Sequence, residues 1–138
     1  MTTHSIFPVV PVADIRRSRD FYAGLLGLAV VYDSDWYVQL HSPNSESVQL
    51  GLVIRGHDTI PEGFRGSPAG VLVSVEVDDV DTVHARAASA ELPIVLSLRS
   101  EAFGQRHFMT VDPDGLLVDV ITVIPYSDET VASGAVTS

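Results

Sequence analysis

The amino-acid sequence predicts an α+β chain built from two tandem βαβββ modules. Three observations predict it. One pattern occurs twice, as Val9-Val10-Pro11-Val12-Ala13-Asp14-Ile15 and as Val73-Ser74-Val75-Glu76-Val77-Asp78-Asp79-Val80. In each copy an apolar strand ends at an Asp and a helix starts there, and Asp14 and Asp79 lie 79 − 14 = 65 residues apart. Each helical stretch is followed by three short runs of strand character bounded by turn residues. Between the copies stand Gly56, Pro61, Gly63, Gly66 and Pro68, a linker composition. A duplicated unit of this size implies two similar halves that pack on each other, with the cleft between them as the natural place for a ligand.

Each element follows from local chemistry. Residues 5–12 form the first strand, rich in Val with Ile6 and Phe7; Pro8 and Pro11 lack an N–H, which puts it at a sheet edge. Asp14 is an N-cap, its carboxylate accepting from free helix N–H groups. The helix from Ile15 sets Ile15, Phe21, Tyr22, Leu25 and Leu26 at core spacing and turns Arg16, Arg17 and Arg19 to solvent; Gly27 ends it. Ala29 to Tyr32, Trp36 to Leu40 and Ser47 to Ile54 are strands, joined by Asp33-Ser34-Asp35 and by the polar loop 42–46. The second module repeats the order. Val71 to Val77 is a strand, a helix runs from Asp79 or Asp81 to about Ala90, and Ile94 to Leu98, Arg106 to Val111 and Leu116 to Ile124 are strands. Asp112-Pro113-Asp114-Gly115 turns the last two into a hairpin. The expected organisation is a first module at 1–56, a linker at 57–69, a second module at 70–124 and a mobile tail at 125–138.

Composition bounds the function. A net charge of −10 at pH 7 argues against nucleic acid and anionic membranes, which basic patches bind, and mildly favours cationic or neutral partners. The absence of cysteine excludes disulfides and thiolate metal sites and fits a reducing, cytoplasmic compartment. The N-terminus lacks a signal-peptide pattern, and no apolar run reaches the length of a membrane span.

The doubled βαβββ order, the motif Val-x-Asp-Ile-x-x-Ser-x-x-Phe-Tyr-x-x-Leu-Leu-Gly-Leu over Val12 to Leu28, and Asp-Pro-Asp-Gly at 112–115 resemble the vicinal oxygen chelate superfamily of glyoxalase I, bleomycin-resistance proteins and extradiol dioxygenases. The resemblance covers about Ser5 to Ile124. It implies that each module curls its mixed sheet into part of a cup. It also implies that enzymes of the group hold a divalent metal through side chains of the first and last strands, whereas other members hold none and sequester drugs. The first-strand ligand position, seven residues before the helix-opening Asp, is Phe7 in the first half and Leu72 in the second. The last-strand positions map to Gln49 and Asp119. Two carbon side chains, one neutral amide and one short carboxylate make a poor metal anchor.

No other histidine clearly repairs the set. His4 alternates to the wrong face, His41 and His57 fall in expected loops, and His84 sits on the second helix. Folding the hairpin about 112–115 pairs Phe108 with Asp119 and sets Arg106 on the same face, leaving His107 toward the helix; a one-residue bulge swaps the two. Arg106 beside Asp119 is the favoured arrangement. A buried carboxylate costs several kcal/mol unless paired, so Asp119 is either one half of a silent ion pair or a cavity acid. Glu76 is expected at the rim. Phe7, Trp36, Tyr37 and Phe103 can supply an aromatic wall, although core packing is the default for each.

The leading expectation is a metal-free protein that binds a small organic molecule, aromatic or cationic, with Phe7, Trp36, Gln49, Leu72, Phe103, Arg106 and Asp119 as contacts. Drug sequestration is one version. One alternative is a lyase, isomerase or dioxygenase holding Zn, Ni, Fe or Mn in an atypical shell that includes Gln49 and Asp119. Another is a metal-free acid/base enzyme using Asp119 with Arg106 or His107. The resemblance also implies a homodimer.

Overall fold

A computed structural model describes residues 1–126; most of the expected tail, 127–138, lies outside the described residues. The observed order is β1 (Val9–Val12), α1 (Ile15–Leu26), β2 (Ala29–Asp33), β3 (Tyr37–Ser42) and β4 (Ser45–Ile54), then β5 (Val73–Glu76), α2 (Val80–Ser89), β6 (Ile94–Glu101), β7 (Gln105–Val111) and β8 (Leu117–Val123). Two four-stranded mixed sheets result, ordered β1-β4-β3-β2 and β5-β8-β7-β6. In each, the first strand runs parallel to the last and the other pairs are antiparallel. The two tandem βαβββ modules are therefore present. Compactness divides the described residues into one unit of 1–71 with 112–116 and another of 72–111 with 117–126.

In the first unit, Asp14 caps α1 by accepting from the Arg17 N–H at 3.1 Å. Gly27 closes the helix with φ of 67°, a left-handed conformation that a residue without Cβ adopts freely. The buried face of α1 is Ile15, Ser18, Tyr22 and Leu25, at helical spacing, whereas Phe21 is only half-buried rather than fully core. Val10, Val12, Val38, Leu40, Leu50 and Leu52 form the apolar layer of the sheet on the helix side. The proline-bearing β1 is an edge strand, because Pro11 has no N–H to give a second neighbour. It is shorter than expected and begins at Val9, so His4 and Phe7 precede it. His41, expected in a loop, lies within β3, because the β3–β4 hairpin turns tightly at Pro43-Asn44.

The segment 112–116 packs as part of this unit. The Tyr22 hydroxyl donates to Asp112 at 2.7 Å, and Asp114 accepts from Arg55 at 2.7 Å and from the Ala13 N–H at 3.0 Å. Asp112 also accepts from the N–H groups of Asp114 and Leu116, at 2.9 and 2.8 Å, which makes it the organiser of the turn.

In the second unit Asp79 caps α2, and Val80, Val83 and Ala87 are its buried face. Phe108, Val118 and Val120 are the sheet's apolar layer on the helix side, with His84 edge-on to the Phe108 ring at 5.0 Å. At its C-terminus this helix has no glycine: Glu91 takes φ of 57°.

Candidate functional site

The helix-free face of the second sheet carries an ionic cluster. Its position follows from the β7–β8 hairpin. The loop holds five residues, 112–116, closed by Asp112 N–H to Leu116 C=O at 2.8 Å, so Val111 pairs with Leu117. Met109 is thereby opposite Asp119, Phe108 opposite Val120 and His107 opposite Ile121. The expected pairing of Phe108 with Asp119 counted one residue too few in the loop, and a one-residue shift exchanges the two faces of a strand. His107, not Arg106, consequently shares a face with Asp119. Arg106 points to the helix side and grips Asp81 of α2 through two nitrogens at 2.9 and 3.1 Å. That pairing lowers the Asp81 pKa and raises that of Arg106.

His107 is 4% exposed and Asp119 7%. The ring uses both nitrogens on carboxylates: Nδ1 is 2.8 Å from Asp119 and Nε2 is 2.8 Å from Glu101. Glu101 also accepts from Arg99 at 3.0 Å. A neutral imidazole has one N–H, so the ring donates to both carboxylates only as the imidazolium. Burial opposes that charge, but the hydrogen bonds to Glu101 and Asp119 outweigh it and raise the His107 pKa above its ordinary 6.5. The bond to His107, and then the one to Arg99, hold Glu101 below its ordinary 4.5. The buried carboxylate is thus paired, as its burial demands.

The helix-free face of the first sheet carries no carboxylate, guanidinium or ammonium along the paired stretches 37–41 and 49–53. Period two along β3 puts Tyr37, Gln39 and His41 on it, and β4 adds Gln49, Gly51 and Val53. The Tyr37 hydroxyl donates to Gln39 Oε1. Gln39 Nε2 donates to Gln49 Oε1 at 2.6 Å, and Gln49 Nε2 donates to the Glu46 carbonyl at 2.8 Å. Burial raises the Tyr37 pKa, so the phenol stays protonated and remains a donor. Trp36 lies 5.6 Å from Tyr37 between ring centroids and stacks on His57 at 4.1 Å.

The sequence-derived candidates therefore fall into two groups. In the first unit Gln49, Trp36 and Tyr37 are joined by contacts, and Phe7, 36% exposed, precedes β1. In the second, Asp119 and His107 are joined, Phe103 has its ring 6.4 Å from His107, and Leu72, 47% exposed, precedes β5. Arg106 leaves the set, and Glu76 is exposed on the edge strand β5. Two participants were missed. Glu101 was lost because β6 was expected to stop at Leu98, whereas the strand continues to residue 101. Gln39 was legible as the residue two along from Tyr37.

A divalent metal does not fit this donor set. Phe7 and Leu72 have no side-chain ligand atom, the neutral Gln49 amide is already hydrogen-bonded once at its oxygen and once at its nitrogen, and both ring nitrogens of His107 face carboxylates. Among the described residues no group of three or more His, Asp or Glu side chains is arranged to hold an ion. Among them, too, no helix is long and apolar enough to cross a membrane.

The sequence pattern of the Glyoxalase/Bleomycin resistance protein/Dioxygenase superfamily matches residues 4–120. The chain is 29% identical over 121 residues to a bleomycin resistance protein of Geobacillus stearothermophilus, across 80% of this chain and 90% of that protein. Among solved structures it is similar to a protein of unknown function from Agrobacterium tumefaciens str. C58, at 27% identity and TM-score 0.71, covering 90% of this chain and 97% of that one. It is also similar to TnmS3, an antibiotic binding protein from Streptomyces sp. CB03234, at 24% identity and TM-score 0.69, covering 88% of this chain and 97% of that one; at this identity the likeness is one of fold.

Proposed function

Because this chain belongs to the Glyoxalase/Bleomycin resistance protein/Dioxygenase superfamily, we propose that it binds a small organic molecule without a metal ion, in the manner of a drug-sequestering protein. One observation carries the reading. At the two last-strand positions the protein's own side chains already hydrogen-bond the polar groups, Gln39 on Gln49 and His107 on Asp119, in place of a metal. Each unit also exposes apolar or aromatic side chains, Phe7 in the first and Leu72 and Phe103 in the second, each more than a third exposed. Such surface favours the flat, apolar body of an organic molecule, with the polar groups fixing its orientation. The bleomycin resistance relative supports the same class of ligand.

The acid/base alternative gains less support. A ring nitrogen of His107 has to face substrate to move a proton, and both face carboxylates. A cytoplasmic homodimer is part of the proposal, supported by the cysteine-free composition and by the sheets ending in edge strands instead of closing on themselves.

Two measurements test it. Metal analysis of protein purified without chelator is expected to find well under one transition-metal ion per chain; one tightly held ion that disappears in Asp119→Ala overturns the reading. A broad thermal-shift screen is expected to yield stabilising organic ligands, since a ligand at a hundred times its Kd adds about 2.7 kcal/mol to stability. A screen in which no compound raises Tm sinks the proposal. Light scattering reads the assembly.

A further inference from the structure

We infer that Tyr37, Gln39 and Gln49 form a recognition row for a neutral amide-type group carried on a flat ring, such as a lactam, carboxamide or urea. The inference rests on the small-molecule reading and deepens it. The three side chains stand half-buried on one face of β3 and β4, and their hydrogen bonds all run in one direction, from Tyr37 through Gln39 and Gln49 to the Glu46 carbonyl. An amide nitrogen carries two N–H groups and an amide oxygen accepts twice. Each Gln spends one donor and one acceptor within the row, so each keeps one of both. A donor and an acceptor side by side match another amide edge to edge.

Charge narrows the class. Within the paired stretches 37–41 and 49–53 this face carries no carboxylate, guanidinium or ammonium. An anionic group meets amide oxygens with no guanidinium or ammonium to hold it, the one imidazole, His41, already having its Nδ1 2.9 Å from the Ser42 carbonyl, and a cationic group finds no counter-charge, so each loses more hydration than the row returns. Aromatic rings flank the row, with Tyr32 6.3 Å from Tyr37 and Trp36 5.6 Å from it between centroids. Tyr32 offers a face against which a planar ring can lie, whereas Trp36 already stacks one face on His57.

Gly51 is the positioning residue of the row. A Cβ built on Gly51 would lie 2.6 Å from the Tyr37 hydroxyl oxygen and 3.0 Å from Val9 Cγ2. The missing side chain is the space in which the hydroxyl lies. Because that hydroxyl is the far end of a side chain, Gly51→Ala is expected to displace it from Gln39, with Val9 giving a few tenths of an ångström.

The experiment uses small probes of equal ring size: 2-pyridone and benzamide against benzoate and benzylamine, followed through the side-chain amide signals of Gln39 and Gln49 by NMR. The two amides are expected to shift those signals saturably and the charged probes to leave them in place. Gln39→Leu and Gly51→Ala, checked for fold by circular dichroism, are expected to weaken amide binding roughly five- to tenfold, the effect of one neutral hydrogen bond. Equal shifts from the charged probes, or unchanged affinity in both variants, overturn the row. A screening ligand whose affinity ignores both variants also overturns it while leaving the small-molecule reading standing; probes and screen both without binding bring down the two together.

Discussion

The two modules repeat one plan and settle the same problem in opposite ways. Both start with an Asp-capped helix, both pair the first strand with the last, and both place a polar residue on the helix-free face of that last strand. In the first module it is Gln49, satisfied by neutral hydrogen bonds. In the second it is Asp119, satisfied by the buried ring of His107, which also meets Glu101. The helix ends differ likewise: a glycine takes the left-handed position after α1, a glutamate after α2. A shared backbone thus constrains where a polar group sits, not the chemistry that satisfies it.

The contrast breaks most sharply at His107. His107→Ala leaves Asp119 buried without its counter-charge, and truncating one member of such a pair costs about 3–5 kcal/mol. Since Glu101 keeps Arg99 and some solvent, the lower end is expected, read as loss of stability in urea unfolding. A loss below about 1 kcal/mol means that the pair contributes nothing.

Next in size is a pH dependence on either side of mildly acidic solution that originates in the second module. The raised pKa of His107 contributes stability that is complete below the unfolded value of 6.5 and lost as pH rises through the folded value. The lowered pKa of Glu101 contributes stability present above 4.5 and lost as pH falls through its folded value. Stability is therefore expected to peak in mildly acidic solution, between these limits. In His107→Gln the alkaline decline attributable to this ring disappears; an unchanged pH profile in that variant refutes the assignment.

The neutral row is expected to be cheaper to break. Gln49→Leu removes an acceptor from Gln39, which is only half-buried and recovers water, so a loss of about 0.5–1.5 kcal/mol is expected in the same unfolding assay. Equal costs for Gln49→Leu and His107→Ala erase the distinction between the modules.

The smallest effect is a gain. Glu91→Gly relieves a left-handed residue of its Cβ and is expected to stabilise by roughly 0.5–1 kcal/mol, read by thermal melting. The control is Glu91→Ala, which removes the carboxylate but keeps the Cβ and is expected to gain nothing. Equal gains in the two variants assign the effect to the lost charge instead of the backbone.

Much of this plan is legible from residue order. Asp14, Gly27 and Asp79 mark helix boundaries through local capping chemistry, the apolar spacing of Ile15, Tyr22 and Leu25 gives a core face, and Phe7 and Leu72 hold no donor atom whatever their surroundings. These depend on neighbours a few residues away, which the sequence lists directly. The partner of Asp119 depended on something else. One extra residue in the loop at 112–116, fixed by hydrogen bonds to Asp112 and by the packing of that loop against Tyr22 and Arg55, shifted the strand register and brought His107 inward in place of Arg106. Gln39 joined Gln49 in the same way, through pairing of two strands. Local propensity does not encode such choices, because a register is decided only when distant groups compete for the same buried hydrogen bonds.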